Sequence, residues 1–288
     1  MRWKSFWAYA LAISVILAGC GTAPVENATV AEEENIKQEG KAAGEGNDGS
    51  ADEEEGNTAK QVSDFTVEEQ FTDRDLSGNY DESKADILSF SEDGIETSSK
   101  TVSVDGTTAT IRSEGVYILS GNCDDGMVIV DADKSEKIQI VLKDVTLHSK
   151  TSAAIYVKQA DKVFLTLADG TTNLLSSDSE YVAIDENNID AAIFSKEDLT
   201  LNGTGTLGVE SPAGHGIVGK DDLKFAGGSY AVKAAKHAIA ANDSVRIVNG
   251  DFGIIAQEDA FHSDGYIYIA GGEFVVETGD DAFHADNT

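Results

Sequence analysis

The chain has 288 residues and a formal net charge of −31, with 21 Lys and Arg against 52 Asp and Glu. So few cations exclude a phosphate-tracking surface, and with it nucleic acid as a partner; multivalent cations, and neutral ligands approached through them, fit this charge better. With 28 Gly, 2 Pro and 7% aromatic residues, the balance favours short strands and tight turns over helices.

Arg2 and Lys4 precede an apolar run from Phe6 to Ala18, whose 13 residues are too few to span a bilayer but suit the core of an export signal. The run ends in Leu17-Ala18-Gly19-Cys20, which resembles a bacterial lipobox. In that reading residues 1–20 are a lipoprotein signal peptide and lipidated Cys20 begins the mature protein. The alternative is an ordinary signal peptide with Cys20 incidental. A lipidated Cys20 leaves Cys123 without a partner for an internal disulfide. The expected location is the outer face of the cell membrane, with the lipid as the sole membrane contact.

Residues 21–84 read as an acidic disordered linker. Between Glu26 and Glu55 there are 11 Asp or Glu and two Lys, interspersed with Gly, Asn, Ala and Ser. Such a segment buries too little apolar surface to offset its ordering entropy, and its like charges extend it.

From residue 85 the texture changes to short apolar runs broken by Gly, Asn and Asp. Residues 215–236, 237–258 and 259–280 are three consecutive units of 22, and DAFHADNT opens a fourth. Their columns coincide: Ile217, Ile239, Phe261 and Phe283; Leu223, Val245 and Ile267; Phe225, Ile247 and Ile269; Tyr230, Phe252 and Phe274; Val232, Ile254 and Val276. Alternation of apolar and polar residues within each unit is strand periodicity. A unit with one apolar face buries it by stacking on its neighbours, and a period of 22 suits one coil of a parallel β-helix. Upstream, Ala192 to Lys196 matches Gly216 to Lys220 at an offset of 24, residues 176–190 read as an extruded loop, and 85–90 with 101–113 read as a cap. The fourth unit lacks its strands, so the sequence predicts a truncated chain, or poor order over residues 281–288.

GVYILSG, IQIVLKDVTL, SAAIYVKQADKVFLTLADGTTN, AAIFSKEDLTLNGTGTL, the GIVGKDDLKFAGG coil and GDDAFHAD together resemble the pectate-lyase-like carbohydrate-binding domain family of Gram-positive surface lipoproteins. The resemblance covers residues 85–288. It implies an all-β, right-handed parallel β-helix, calcium at Asp-rich turns, and binding of plant-type or acidic polysaccharide. The family's Asp-Asp-Gly-Ile phrase stands here as Asp280-Asp281-Ala282-Phe283 and Glu258-Asp259-Ala260-Phe261, whereas His215 and His237 occupy its place in earlier coils.

Stacked coils place equivalent residues about 4.8 Å apart. The turn columns Gly214/Lys236/Glu258/Asp280, His215/His237/Asp259/Asp281 and Lys220/Asn242/Asp264/Asp286 turn acidic together. Carboxylates stacked this closely repel unless a cation lies between them, so Glu258, Asp259, Asp264, Asp280, Asp281 and Asp286 are the candidate calcium ligands, against a merely solvated acidic rim. His262 and His284 also stack; they either hold Zn²⁺ or Cu²⁺ beside the carboxylates or hydrogen-bond a turn. The outward column Lys224, Arg246 and Tyr268 is the candidate carbohydrate ladder, with cations for uronate carboxylates and a ring for a sugar face; an ordinary solvent-facing strand has the same residue types.

These features predict a monomeric, calcium-assisted, non-catalytic surface lipoprotein that binds polysaccharide. A calcium-dependent polysaccharide lyase is the first alternative, with Arg246 as the Arg of a regular coil able to serve as base. A structural or adhesive stalk is the second.

Overall fold

A computed structural model describes residues 65–287; the export signal, Cys20 and the linker up to residue 64 lie outside the described residues. The chain winds into a parallel β-solenoid of about 8 turns, with coils of about 23 residues. One coil shows why. His215–Gly219 forms a short strand, and Asp222–Ala234 forms a long one that bends midway and so contributes to two faces. The bend falls at Gly227 and Gly228, at φ of 128° and 90°, where the register with the next coil shifts. L-residues avoid this region, so the paired glycines are what let a continuous strand turn the corner.

Parallel pairing holds the predicted columns in register. Ile217 pairs Ile239, Ile239 pairs Phe261, and Phe261 pairs Phe283; Leu223 pairs Val245 and Val245 pairs Ile267. The inward residues form one continuous core from Leu88 to Phe261. Phe252 stacks on Tyr230 and on Phe274 with ring centroids 5.0 Å and 5.1 Å apart, contacts that each add about 1 kcal/mol beyond area burial. The last coil has no following coil over it in the structure, and Ile269, Val275 and Phe283 are exposed. Phe283–Ala285 nevertheless forms a strand on Phe261–Ser263, so order extends into the segment expected to be loose.

At the other end the sheets finish in antiparallel hairpins, Asp86–Ser91 with Gly94–Thr97 and Val102–Asp105 with Thr108–Ile111. Such hairpins stop the parallel stack from offering a bare edge. Cys123 is buried and unpaired. The extruded loop begins two residues later than expected, because Thr172–Ser177 is still strand.

The composition-based linker boundary requires a correction. Residues 65–84 are not a disordered tether but a strap packed on the solenoid. Val67–Gln70 and Asp73–Leu76 are single helical turns opened by the capping boxes of Thr66 and Thr72. Phe71 is buried, and Asp75 is 0% exposed. Asn202 donates its amide to the carbonyl oxygens of Asp75 and Ser77, at 3.2 Å and 3.1 Å. Local composition hides these contacts because they are made by residues far along the chain.

Candidate functional site

The short strands of successive coils stack into one lateral sheet, and its outward residues line a groove of about 370 Å³. Phe194, Val218 and Ala240, each one coil apart, make an apolar floor. The turn that follows each short strand supplies Lys196, Lys220, Asn242 and Asp264 along one wall. His215, His237 and His262 line the groove too, and Asn187, Asn188 and Asp190 of the extruded loop close its far end. That loop is pinned by Tyr156, whose hydroxyl donates to Asp185 at 2.9 Å and accepts from the Asn187 amide at 2.8 Å. Lys220 is exposed and reaches over the Phe194 ring at 5.8 Å. The groove thus presents cations and amides above an apolar floor, a surface suited to a sugar's mixed faces.

At the groove's acidic end imidazoles stack as a ladder. Ring centroids of His215 and His237 are 5.1 Å apart, those of His237 and His262 4.4 Å, and those of His262 and His284 5.1 Å. Burial pushes the His215 imidazole down to about 4, despite Asp190 nearby. His237 is lowered too, first by burial and then by the His262 charge; its Nδ1 accepts from the Asp259 amide at 3.1 Å. His284 is raised by hydrogen bonds to Asp281 and Asp286. Asp259 is 4% exposed. Burial alone would raise it, but hydrogen bonds from His262 and the Asp281 amide hold it below the usual carboxylate range.

The six expected calcium ligands separate in this geometry. Asp259, Asp264, Asp281 and Asp286 converge with His262 and His284, Glu258 meets His215 and His237, and Asp280 joins none of the converging groups among the described residues. Each of the four converging sets contains at least one imidazole. Asp259 already spends one oxygen on the Asp281 amide at 3.0 Å and the other on His262 at 2.9 Å. Calcium takes 6–8 oxygen ligands, and these side chains do not assemble that set without ring nitrogens. Turn carbonyls and water would have to complete an all-oxygen set for calcium here.

The expected carbohydrate ladder is in register, with Lys224 beside Arg246 and Arg246 beside Tyr268, but its cations face the strap. Lys224 is 7% exposed and lies 3.8 Å from Asp222 and 4.0 Å from Asp75. Arg246 pairs with Asp222 at 2.7 Å and donates to the Gln70 carbonyl oxygen at 3.3 Å. Tyr266, not Tyr268, donates its hydroxyl to Gln70, at 2.9 Å. The ladder does meet a carboxylate, but it belongs to Asp75 of the same chain. The groove lies on a different face from that ladder, and sequence reasoning did not single out its Lys196, Asn187 and Asn188, nor place Lys220 in it. The matching lysines at an offset of 24, followed by the polar loop, were the available signal.

The fold defines a class, the parallel β-solenoids, whose stacked coils build long lateral faces. Within it, the chain belongs to the family described as carbohydrate-binding domain-containing protein, which it matches over residues 105–288. A relative of that description from Acetivibrio thermocellus is 38% identical over 136 residues, 46% of this chain and 47% of that protein, so the match spans about half the length of each. Among solved structures, the polysaccharide lyase-like protein from C. thermocellum, solved as a gadolinium derivative, superposes with a TM-score of 0.66 at 28% identity. That alignment covers 71% of this chain and 95% of the other.

Proposed function

We propose that the chain is a surface lipoprotein that binds carboxylate-bearing polysaccharide in the lateral groove without cleaving it. The observation that carries this reading is the pair Lys196 and Lys220, one coil apart over an apolar floor in a chain of net charge −31. A uronate polymer lying along the solenoid can set successive carboxylates on these cations while its ring faces cover Phe194 and Val218. The family membership supports a carbohydrate ligand. Arg246, the base on which the lyase alternative rests, is held by Asp222 and faces the strap, which weighs against elimination at that residue. Export and the Cys20 anchor, expected from the sequence, would display the groove at the cell surface; loss of labelled-palmitate incorporation in Cys20→Ser tests the anchor.

The test is retention on polygalacturonate beside cellulose, with and without calcium. Lys196→Gln/Lys220→Gln should weaken polygalacturonate binding by about 10-fold or more, as loss of two charge-assisted contacts implies. Undiminished retention of that variant refutes the groove. Unsaturated uronate products establish the lyase reading that the structural neighbour's description raises, and retention that appears with calcium alone restores calcium as the assisting cation.

A further inference from the structure

The repeated phrase Asp-Ala-Phe-His-x-Asp sets three polar side chains in a fixed relation. Asp259 precedes His262 by three residues and Asp264 follows it by two, and the next coil repeats this as Asp281, His284 and Asp286. His262 Nδ1 lies 2.9 Å from Asp259 Oδ2, and its Nε2 lies 3.2 Å from Asp264 Oδ1. His284 is flanked in the same way, at 3.3 Å from Asp281 and 3.1 Å from Asp286. A neutral imidazole carries one N–H and can satisfy one such carboxylate. The other nitrogen then turns a lone pair towards a carboxylate oxygen, which is repulsive unless a second ring proton or a metal cation joins them.

Asp259 decides which nitrogen is left. It is buried and accepts at His262 Nδ1, so the Nε2 lone pair points to the exposed rim where Asp264 stands. Stacking brings Asp286 of the next coil to the same place, and donor atoms of His262, Asp264 and Asp286 all lie within 4.8 Å of one another. A metal with bonds near 2.1 Å in tetrahedral geometry spaces its ligand atoms by about 3.4 Å, close to the 3.2 Å between His262 Nε2 and Asp264 Oδ1. A ligating imidazole whose other N–H is held by a carboxylate is the usual arrangement in metal sites. One nitrogen and two oxygens form a donor set for a borderline transition metal and a poor one for calcium.

We infer that His262 Nε2, Asp264 and Asp286 form a binding site for a zinc-class divalent metal, with Asp259 as the residue that positions His262. His262 and Asp264 also line the groove. The site stands independently of the polysaccharide reading. Buried Cys123 offers no competing exposed thiolate.

The experiment is calorimetric titration of the purified, EDTA-stripped full chain with Zn²⁺, with Zn²⁺ under excess Ca²⁺, and Cu²⁺ spin resonance as an independent reading of the ligand atoms. The parent should bind Zn²⁺ at micromolar concentration or below, keep it under a 100-fold excess of Ca²⁺, and show nitrogen hyperfine coupling with Cu²⁺. His262→Gln should weaken Zn²⁺ binding by about 100-fold and lose the nitrogen coupling, and Asp264→Asn, on the exposed rim, should weaken it by about 10-fold without touching the core. Asp259→Asn should weaken binding by about 10- to 100-fold while the nitrogen coupling persists, which separates positioning from ligation. No Zn²⁺ binding, displacement by equimolar Ca²⁺, or an unchanged affinity in both His262→Gln and Asp264→Asn overturns the site; folding is checked in each variant by its circular dichroism.

Discussion

Asp75 offers the most direct measurement of how the strap is held. Its carboxylate lies 2.7 Å from Lys162 Nζ and accepts from the Thr200 hydroxyl at 2.6 Å and the Thr72 amide at 2.8 Å. Burial by itself would raise this acid; the Lys162, Thr200 and Thr72 hydrogen bonds outweigh it and lower it from 3.8 to about 2. A displacement of that size corresponds to about 2.5 kcal/mol favouring the ionised, docked form. Because the folded value is depressed, this contribution is present in full above 3.8 and is lost as pH falls through about 2. About half of it remains at pH 3. Asp75→Asn should therefore lower strap stability by about 2 kcal/mol at pH 7, by about half as much at pH 3, and by nearly nothing at pH 1. Asp75→Ala should cost about 2–4 kcal/mol: it leaves Lys162 and Lys224 without their shared partner, though Asp198 at 3.9 Å and Asp222 at 3.8 Å compensate in part. Hydrogen exchange at the amides of residues 75–77, compared between parent and Asp75→Asn at each pH, reads the strap separately from the solenoid. Equal protection at pH 7, or a difference that grows on acidification, refutes the account of how Asp75 is held.

Two other outcomes follow from the same structure. Unfolding releases His215 from a value of about 4 to an ordinary 6.5, so stability should fall by about 3 kcal/mol as pH drops from 6.5 to 4 and then level off from this source; a His215→Gln variant denatured across that window should be less acid-sensitive by a similar amount. Gly203→Ala should destabilise by more than about 2 kcal/mol, because φ is 93° and a Cβ there would lie 2.2 Å from the Leu167 carbonyl oxygen; an unchanged melting midpoint contradicts the close packing of those two backbones.

How far the sequence discloses this molecule depends on the range of the interaction. The column Ile217, Ile239, Phe261 and Phe283 is legible because no insertion interrupts the period, and parallel pairing turns a sequence interval directly into a spatial one. Upstream, Ile155 pairs Ile193 across an interval that contains the extruded loop, so the period blurs although the stack does not. The strap is illegible for a different reason. Its few apolar residues give no periodic signal, and Thr200, which donates to Asp75, lies 125 residues away. The sequence therefore marked Lys224 and Arg246 as partners for a carboxylate and assigned it to a uronate, whereas Asp75 and Asp222 of the chain itself take that place.

The same limit governs the acidic columns, where counting carboxylates pointed to calcium without regard to the imidazoles set beside them. Stacking of Asp259 on Asp281 follows from the period, and so does their mutual repulsion. What the period does not state is the direction in which each carboxylate faces. In the structure Asp259 faces inward to His262, whereas Asp264 and Asp286 face the rim. The first Asp of each phrase thus fixes an imidazole and the last one shares it. An intervening residue more or fewer would break the relation, since adjacent strand positions face opposite sides. The spacing between His262 and its two acids therefore carries more chemical information than their number: with the coil stacking, it brings a ring nitrogen of His262 together with oxygens of Asp264 and Asp286.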